Sequence, residues 1–251
     1  MDFGVDGEDI IMQPELLGQT VVVIGGSAGI GLETARRARA AGARLILTAR
    51  NAAPLAQVAH ELGDCHTAAF DAHDTVSLRS FFRDLPKEID HVMVTAGAPH
   101  YGPALEMAPD DVRLALTTDL MLALDVARNA ASKMNPAGSL IFMSGTGARR
   151  PRIGIGIAST VTIAFPALIA NLALELAPIR VNSIAPGFVD TRLSAAILGD
   201  DLEKRREELR STLPIRRVVG PADVAALAVH IMSNTALTGS TYDIDGGQQL
   251  L

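Results

Sequence analysis

The residues of this chain best suited to holding an anion are Gly25-Gly26-Ser27-Ala28-Gly29-Ile30-Gly31. They join a short apolar run, Thr20–Ile24, to a stretch rich in alanine and arginine, Ile30–Ala41, that reads as a helix. Gly25 permits a tight turn, Gly29 lets the backbone approach a pyrophosphate, and Gly31 lets helix and strand pack closely. The helix start then offers free N–H groups and a positive dipole end to phosphate oxygens, with Ser27, Ala28 and Ile30 lining the turn. A strand, a glycine turn and a helix in that order are the context in which such a pattern binds a dinucleotide. The next strand ends at Thr48-Ala49-Arg50-Asn51. An acid there would bind a ribose 2′-hydroxyl, whereas the guanidinium of Arg50 suits a 2′-phosphate. These residues predict NADP(H) as the cofactor. Asp71, followed by Ala72, ends a third strand, where it can accept from an adenine amino group. Asp74 is placed to cap a helix starting near Thr75.

Groups able to move a proton lie further along. His100 and Tyr101 follow Thr95-Ala96-Gly97 in a loop. Histidine titrates in the useful range, although a loop histidine is also an ordinary solvated residue. Asp119 is a carboxylate on an otherwise apolar helix face; it is either an acid with a raised pKa or a partner for a backbone group or water. Ser144, at the end of a strand, reaches a pocket or bonds the backbone. Arg149, Arg150 and Arg152 either attract an anionic substrate or form a solvated basic loop.

Alternating elements position these residues. Strands are expected at Thr20–Ile24, Arg44–Thr48, His66–Phe70, Val92–Thr95, Ser139–Met143, Arg180–Ile184 and Ser240–Ile244. Helices are expected at Ile30–Ala41, Ala52–Leu62, Thr75–Leu85, about Asp110–Met134, Ser159–Leu176 and Ala222–Met232. Short, wholly apolar strands separated by helices mean a parallel sheet covered on both faces. The fold class is therefore α/β, a Rossmann-type doubly wound sheet of about seven strands. One domain is expected over residues 1–251, with a charged lid at about 188–217. Pro166 should kink the helix around it or delay its start. With 48% hydrophobic and 20% charged residues the composition is that of a globular chain, and the net charge of −6 without a basic run argues against nucleic acid as a partner. No signal peptide or membrane span is expected, the location is expected to be cytoplasmic, and the single cysteine, Cys65, excludes an internal disulfide and a zinc cluster.

The chain resembles the classical short-chain dehydrogenase/reductase family from about Leu16 to Gly247. The resemblance rests on Gly25–Gly31, Asp71, Thr95-Ala96-Gly97, Arg180-Val181-Asn182-Ser183-Ile184-Ala185-Pro186-Gly187, Thr191, and Thr238-Gly239 through Asp245-Gly246-Gly247. It implies a nicotinamide cofactor, hydride transfer with a small carbonyl or alcohol, and a homodimer or homotetramer built on the long helices. By carry-over, Ala96 and Gly97 border the cofactor, and Pro186, Gly187, Val189 and Thr191 lie along the nicotinamide.

The family's proton machinery is a serine, a tyrosine and a lysine supported by an asparagine. Ungapped alignment through Leu174-Glu175-Leu176-Ala177-Pro178 puts Gly145, Ala158 and Thr162 at the first three positions and Asp119, or Thr118 if the register slips, at the fourth. The only tyrosines are Tyr101 and Tyr242, and no lysine lies between Lys133 and Lys204. The cofactor half of the pattern is intact while the proton half is replaced. Two readings follow: an NADP(H)-dependent oxidoreductase with a non-standard proton donor among His100, Tyr101, Asp119, Ser144 and water, or an NADP(H)-binding regulatory or structural protein without turnover.

Overall fold

Alternate residues of the first strand belong to different cores: Val22 and Ile24 to one, Val21 and Val23 to the other, all fully buried. The alternation arises because successive side chains of a strand point to opposite faces and both faces are covered. The fold is seen in a computed structural model that describes residues 14–63, 65–86 and 88–251. Its strands are β1 (Thr20–Ile24), β2 (Arg44–Ala49), β3 (Cys65–Ala69), β4 (Ile89–Val94), β5 (Met134–Met143), β6 (Arg180–Pro186) and β7 (Thr241–Ile244). Its helices are α1 (Gly29–Ala40), α2 (Ala52–Leu62), α3 (Thr75–Asp84), α4 (Pro109–Ala130), α5 (Gly156–Glu175), α6 (Arg192–Leu198), α7 (Leu202–Thr212) and α8 (Pro221–Ser233).

The seven strands form one parallel sheet in the order β3-β2-β1-β4-β5-β6-β7. Helices α3, α4 and α5 cover one face, and α1, α2 and α8 the other. The order reverses between β1 and β4, so the loops leaving their C-terminal ends diverge and open a crevice there.

One expectation about α5 needs correction. The helix begins at Gly156, three residues before Ser159, with Pro166 inside it. Packing decides this: Val161, Phe165, Ile169 and Leu172 recur at helical spacing and are buried against the sheet, which outweighs the low propensity of Thr160–Ile163. Proline removes the N–H that would bond the carbonyl four residues earlier, that of Thr162. The Ser144 hydroxyl donates to that carbonyl instead, at 3.3 Å. By length and composition α5 could cross a membrane, but it buries this face within the protein. Strand β5 also starts five residues earlier than expected, where Met134 pairs with Ile89 across a register shift.

Candidate functional site

The glycine turn at the end of β1 is sewn to its neighbours by hydrogen bonds. The N–H groups of Gly25 and Gly26 both donate to the Thr48 carbonyl at the end of β2, at 3.0 and 2.9 Å. Thr95, just past β4, donates its hydroxyl to the carbonyls of Ile24 and Gly25 at 3.2 and 3.1 Å. A Cβ at position 31 would stand 2.2 Å from the Gly25 carbonyl oxygen and 2.5 Å from the Thr95 hydroxyl, so only glycine fits there. Helix α1 starts at Gly29, and Ala28 before it supplies no side-chain cap. Its first N–H groups are therefore left for an acceptor from outside, and this cradle fits a pyrophosphate.

The ends of β2 and β3 border the turn. Arg50 is exposed one residue past β2, beside Asn51, which begins α2 without a side-chain cap. Asp71 accepts from the His73 backbone N–H at 3.0 Å and touches the His73 ring at 3.2 Å. The bond from the backbone N–H of His73, opposed by desolvation, holds the Asp71 carboxyl below the usual range, with Arg50 close enough to contribute. Ala72 is buried in the core. Asp74 caps α3, accepting from Val76 N–H at 3.1 Å.

The crevice continues over β4, β5 and β6. Gly97 and Gly145 each lie three residues past the paired ends Val94 and Phe142. A Cβ at Gly97 would be 3.0 Å from Asp119 Oδ1, which places that carboxylate against the Thr95-Ala96-Gly97 loop. Burial pushes the Asp119 carboxyl up, opposed by the charges of His73 and His100. A Cβ at Gly145 would be 3.3 Å from Thr162 Cγ2, so these two positions face each other. Tyr101 stays half-exposed, its hydroxyl pushed up by partial burial, and Gly102 N–H ties its loop to the Gly154 carbonyl at 2.8 Å.

At the end of β6 the Pro186 carbonyl accepts from Thr146 N–H at 3.0 Å, and beyond the strand Val189 is buried. Thr191 caps α6 by accepting from Ser194 N–H at 3.1 Å, and its methyl lies 3.7 Å from where a Gly29 Cβ would stand. The turn at β1 and the loop after β6 thus meet at Gly29 and Thr191.

Ser144, Arg149 and Arg150 are all engaged by neighbouring groups. Ser144 is engaged by the Thr162 carbonyl, the backbone alternative. Arg149 is ion-paired with Asp243 and donates to Gln249 Oε1 at 2.6 Å, while Arg150 donates to the Gln248 carbonyl at 3.2 Å. Sequence reasoning missed Ser159, whose buried hydroxyl has no partner among the described residues and lies 3.9 Å from a Cβ placed at Gly147. Its one signal was its position beside Ala158.

A family profile described as Enoyl-(Acyl carrier protein) reductase matches residues 25–249. The chain belongs to the short-chain dehydrogenase/reductase family. Oxidoreductase UcpA of Salmonella typhimurium is 30% identical over 94% of this chain and 96% of its own length. Short-chain dehydrogenase/reductase ATR9 of Stachybotrys chlorohalonatus is 27% identical over 93% of this chain and 98% of its own. A crystal structure of a small-chain dehydrogenase in complex with NADPH superposes with a TM-score of 0.79, at 27% identity over 93% of this chain and 100% of that one. An oxidoreductase family and a seven-stranded Rossmann sheet are thereby established for this chain.

Proposed function

We propose that the protein is an NADP(H)-dependent oxidoreductase of small carbonyl or alcohol substrates that draws its proton from outside α5. The observation that carries this reading is the uncapped start of α1, with Thr191 against Gly29 and Arg50 exposed one residue past the neighbouring β2. The α1 N–H groups hold the pyrophosphate, Arg50 and Asn51 take the 2′-phosphate end, and Asp71 takes the adenine. Pro186, Gly187, Val189 and Thr191 flank the nicotinamide, and the charged segment at about 188–217 covers the substrate side, pinned by the Asp190–Arg206 pair at 2.8 Å. NADP(H), when bound, supplies or accepts the hydride. Ala158 has no proton to give, and a Thr162 hydroxyl is far too weak an acid near neutral pH. Asp119, whose carboxyl is pushed up by burial beside Gly97, is the protein group best placed to hold a proton at the substrate end; His100 and Tyr101 are the alternatives.

Binding is read from the blue shift of NADPH fluorescence, which no tryptophan obscures. NADPH binds about tenfold more tightly than NADH, equivalent to ~1.4 kcal/mol, and Arg50→Ala narrows the gap. Equal affinities in the unmodified protein overturn the assignment. Simple ketones are reduced slowly, and Ala158→Tyr with Thr162→Lys raises their turnover. A native rate near the enzymatic median of about 10 per second would refute the missing relay.

The reading includes a two-fold symmetric assembly. Leu114 and Met121 on α4 and Ile163 and Leu174 on α5 are exposed apolar side chains on two adjacent helices, a patch suited to a second copy.

A further inference from the structure

The C-terminal residues are bonded to both loops that flank the nicotinamide end of the groove. Beyond β7, Asp245 is buried and organises a turn: its carboxylate accepts from Gly247 N–H at 2.8 Å and from Gln249 N–H at 2.9 Å. The turn aims the Gln248 side chain back at β6. The last backbone contact between the strands is Gly187 N–H to the Ile244 carbonyl, at 3.3 Å. One residue on, Phe188 N–H donates to Gln248 Oε1 at 2.8 Å. A side-chain amide thus supplies the next rung after the backbone ladder has ended. It also explains Gly187, where a Cβ would stand 2.6 Å from that amide oxygen and 2.7 Å from Asp245 Cβ.

The same turn grips the loop after β5. Arg150 donates to the Gln248 backbone carbonyl, and Arg149 to both Gln249 and Asp243. That loop is itself joined to the other by Thr146 N–H, which donates to the Pro186 carbonyl. From Phe188 the chain runs three residues to Thr191, which caps α6 and lies against Gly29 in the glycine turn.

We propose that Gln248 is a positioning residue for the nicotinamide end of the site, and that with Arg149 and Arg150 it forms a C-terminal latch fixing where Pro186–Thr191 leaves the sheet. This rests on the reading that Pro186–Thr191 flanks the nicotinamide. The latch acts on the cofactor through Phe188 and Thr191 without touching it. Its loss frees the direction of that loop and leaves the pyrophosphate turn and Arg50 in place.

The test compares two ligands on the full chain: NADPH, and 2′-phospho-ADP-ribose, which keeps the adenine, the phosphates and the distal ribose but lacks the nicotinamide. Dissociation constants come from calorimetry, and the fluorescence maximum of bound NADPH reports the environment of its ring. Gln248→Leu removes the acceptor at similar size. It weakens NADPH by about three- to tenfold, the effect of one hydrogen bond, and shifts the bound emission toward that of free NADPH, while 2′-phospho-ADP-ribose binds as before. Gln248→Glu, which retains an acceptor for Phe188 N–H, recovers most of the loss. Should Gln248→Leu fail to fold, Arg149→Ala at the surface end of the latch gives the same selective weakening. Equal weakening of both ligands, or no change in NADPH, overturns the latch. Failure of the unmodified protein to bind either ligand removes the cofactor reading itself, and the latch with it.

Discussion

Substituting Ser144 tests whether its hydroxyl serves chemistry or repairs a helix. Pro166 leaves the Thr162 carbonyl without its helical donor, and the Ser144 hydroxyl reaches it at 3.3 Å. Ser144→Ala then costs the net worth of that bond and leaves a half-buried carbonyl unpaired, together about 1–2 kcal/mol. Pro166→Ala restores an N–H for Thr162 and relieves a proline inside a helix, a gain of up to ~3 kcal/mol. In that background the carbonyl is already bonded, so Ser144→Ala costs about 0.5 kcal/mol or less. The double-mutant cycle therefore shows a coupling of about 1 kcal/mol. Urea unfolding followed by far-ultraviolet circular dichroism measures all four proteins. Equal cost of Ser144→Ala in the two backgrounds would refute the argument and return Ser144 to the list of groups free to serve the pocket.

Acid should destabilise the fold through His91. This ring is buried at the base of β4, bonded to Ser139 Oγ at 2.8 Å and to Gln19 Oε1 at 2.6 Å, and burial pushes its pKa from 6.5 down to about 4. The unfolded chain takes up the proton first, so its contribution is complete above pH 6.5 and is lost as pH falls toward 4, by up to about 3 kcal/mol. A melting temperature that does not fall over that range for reasons removed by His91→Gln would count against it. Asp119 has the opposite sign. Its raised carboxyl pKa stabilises the fold below the ordinary aspartate range and loses that contribution as pH rises, so Asp119→Asn should raise the melting temperature at pH 7 more than at pH 4. Light scattering at micromolar concentration should give a dimer or tetramer, and Ile163→Glu with Leu174→Glu should shift it toward monomer.

The sequence alone was enough for the sheet and for a glycine turn leading into α1, because each depends on physics local to a few residues. β1, covered on both faces, reads as a continuous apolar run, and a Cβ at position 31 would meet the Gly25 carbonyl only six residues back in the chain. That no tyrosine and lysine stand one helical turn apart in α5 was equally legible, since such a spacing is a count along the chain. Element ends were less so: α5 begins at Gly156 because buried contacts with the sheet override the reluctance of Thr160–Ile163 to be helical. The partners of the site residues were decided by the strand order. Arg149 meets Asp243 from 94 residues away, and Phe188 meets Gln248 from 60, because β5, β6 and β7 lie side by side and their C-terminal loops share one edge. No local pattern encodes such a pairing. Nor could one show that Ser144 answers a proline 22 residues later, or that Gly97 holds Asp119 where burial raises its pKa. A hydroxyl or a carboxylate takes its chemistry from what surrounds it, and here the surroundings come from strands and helices that only the folded chain brings together.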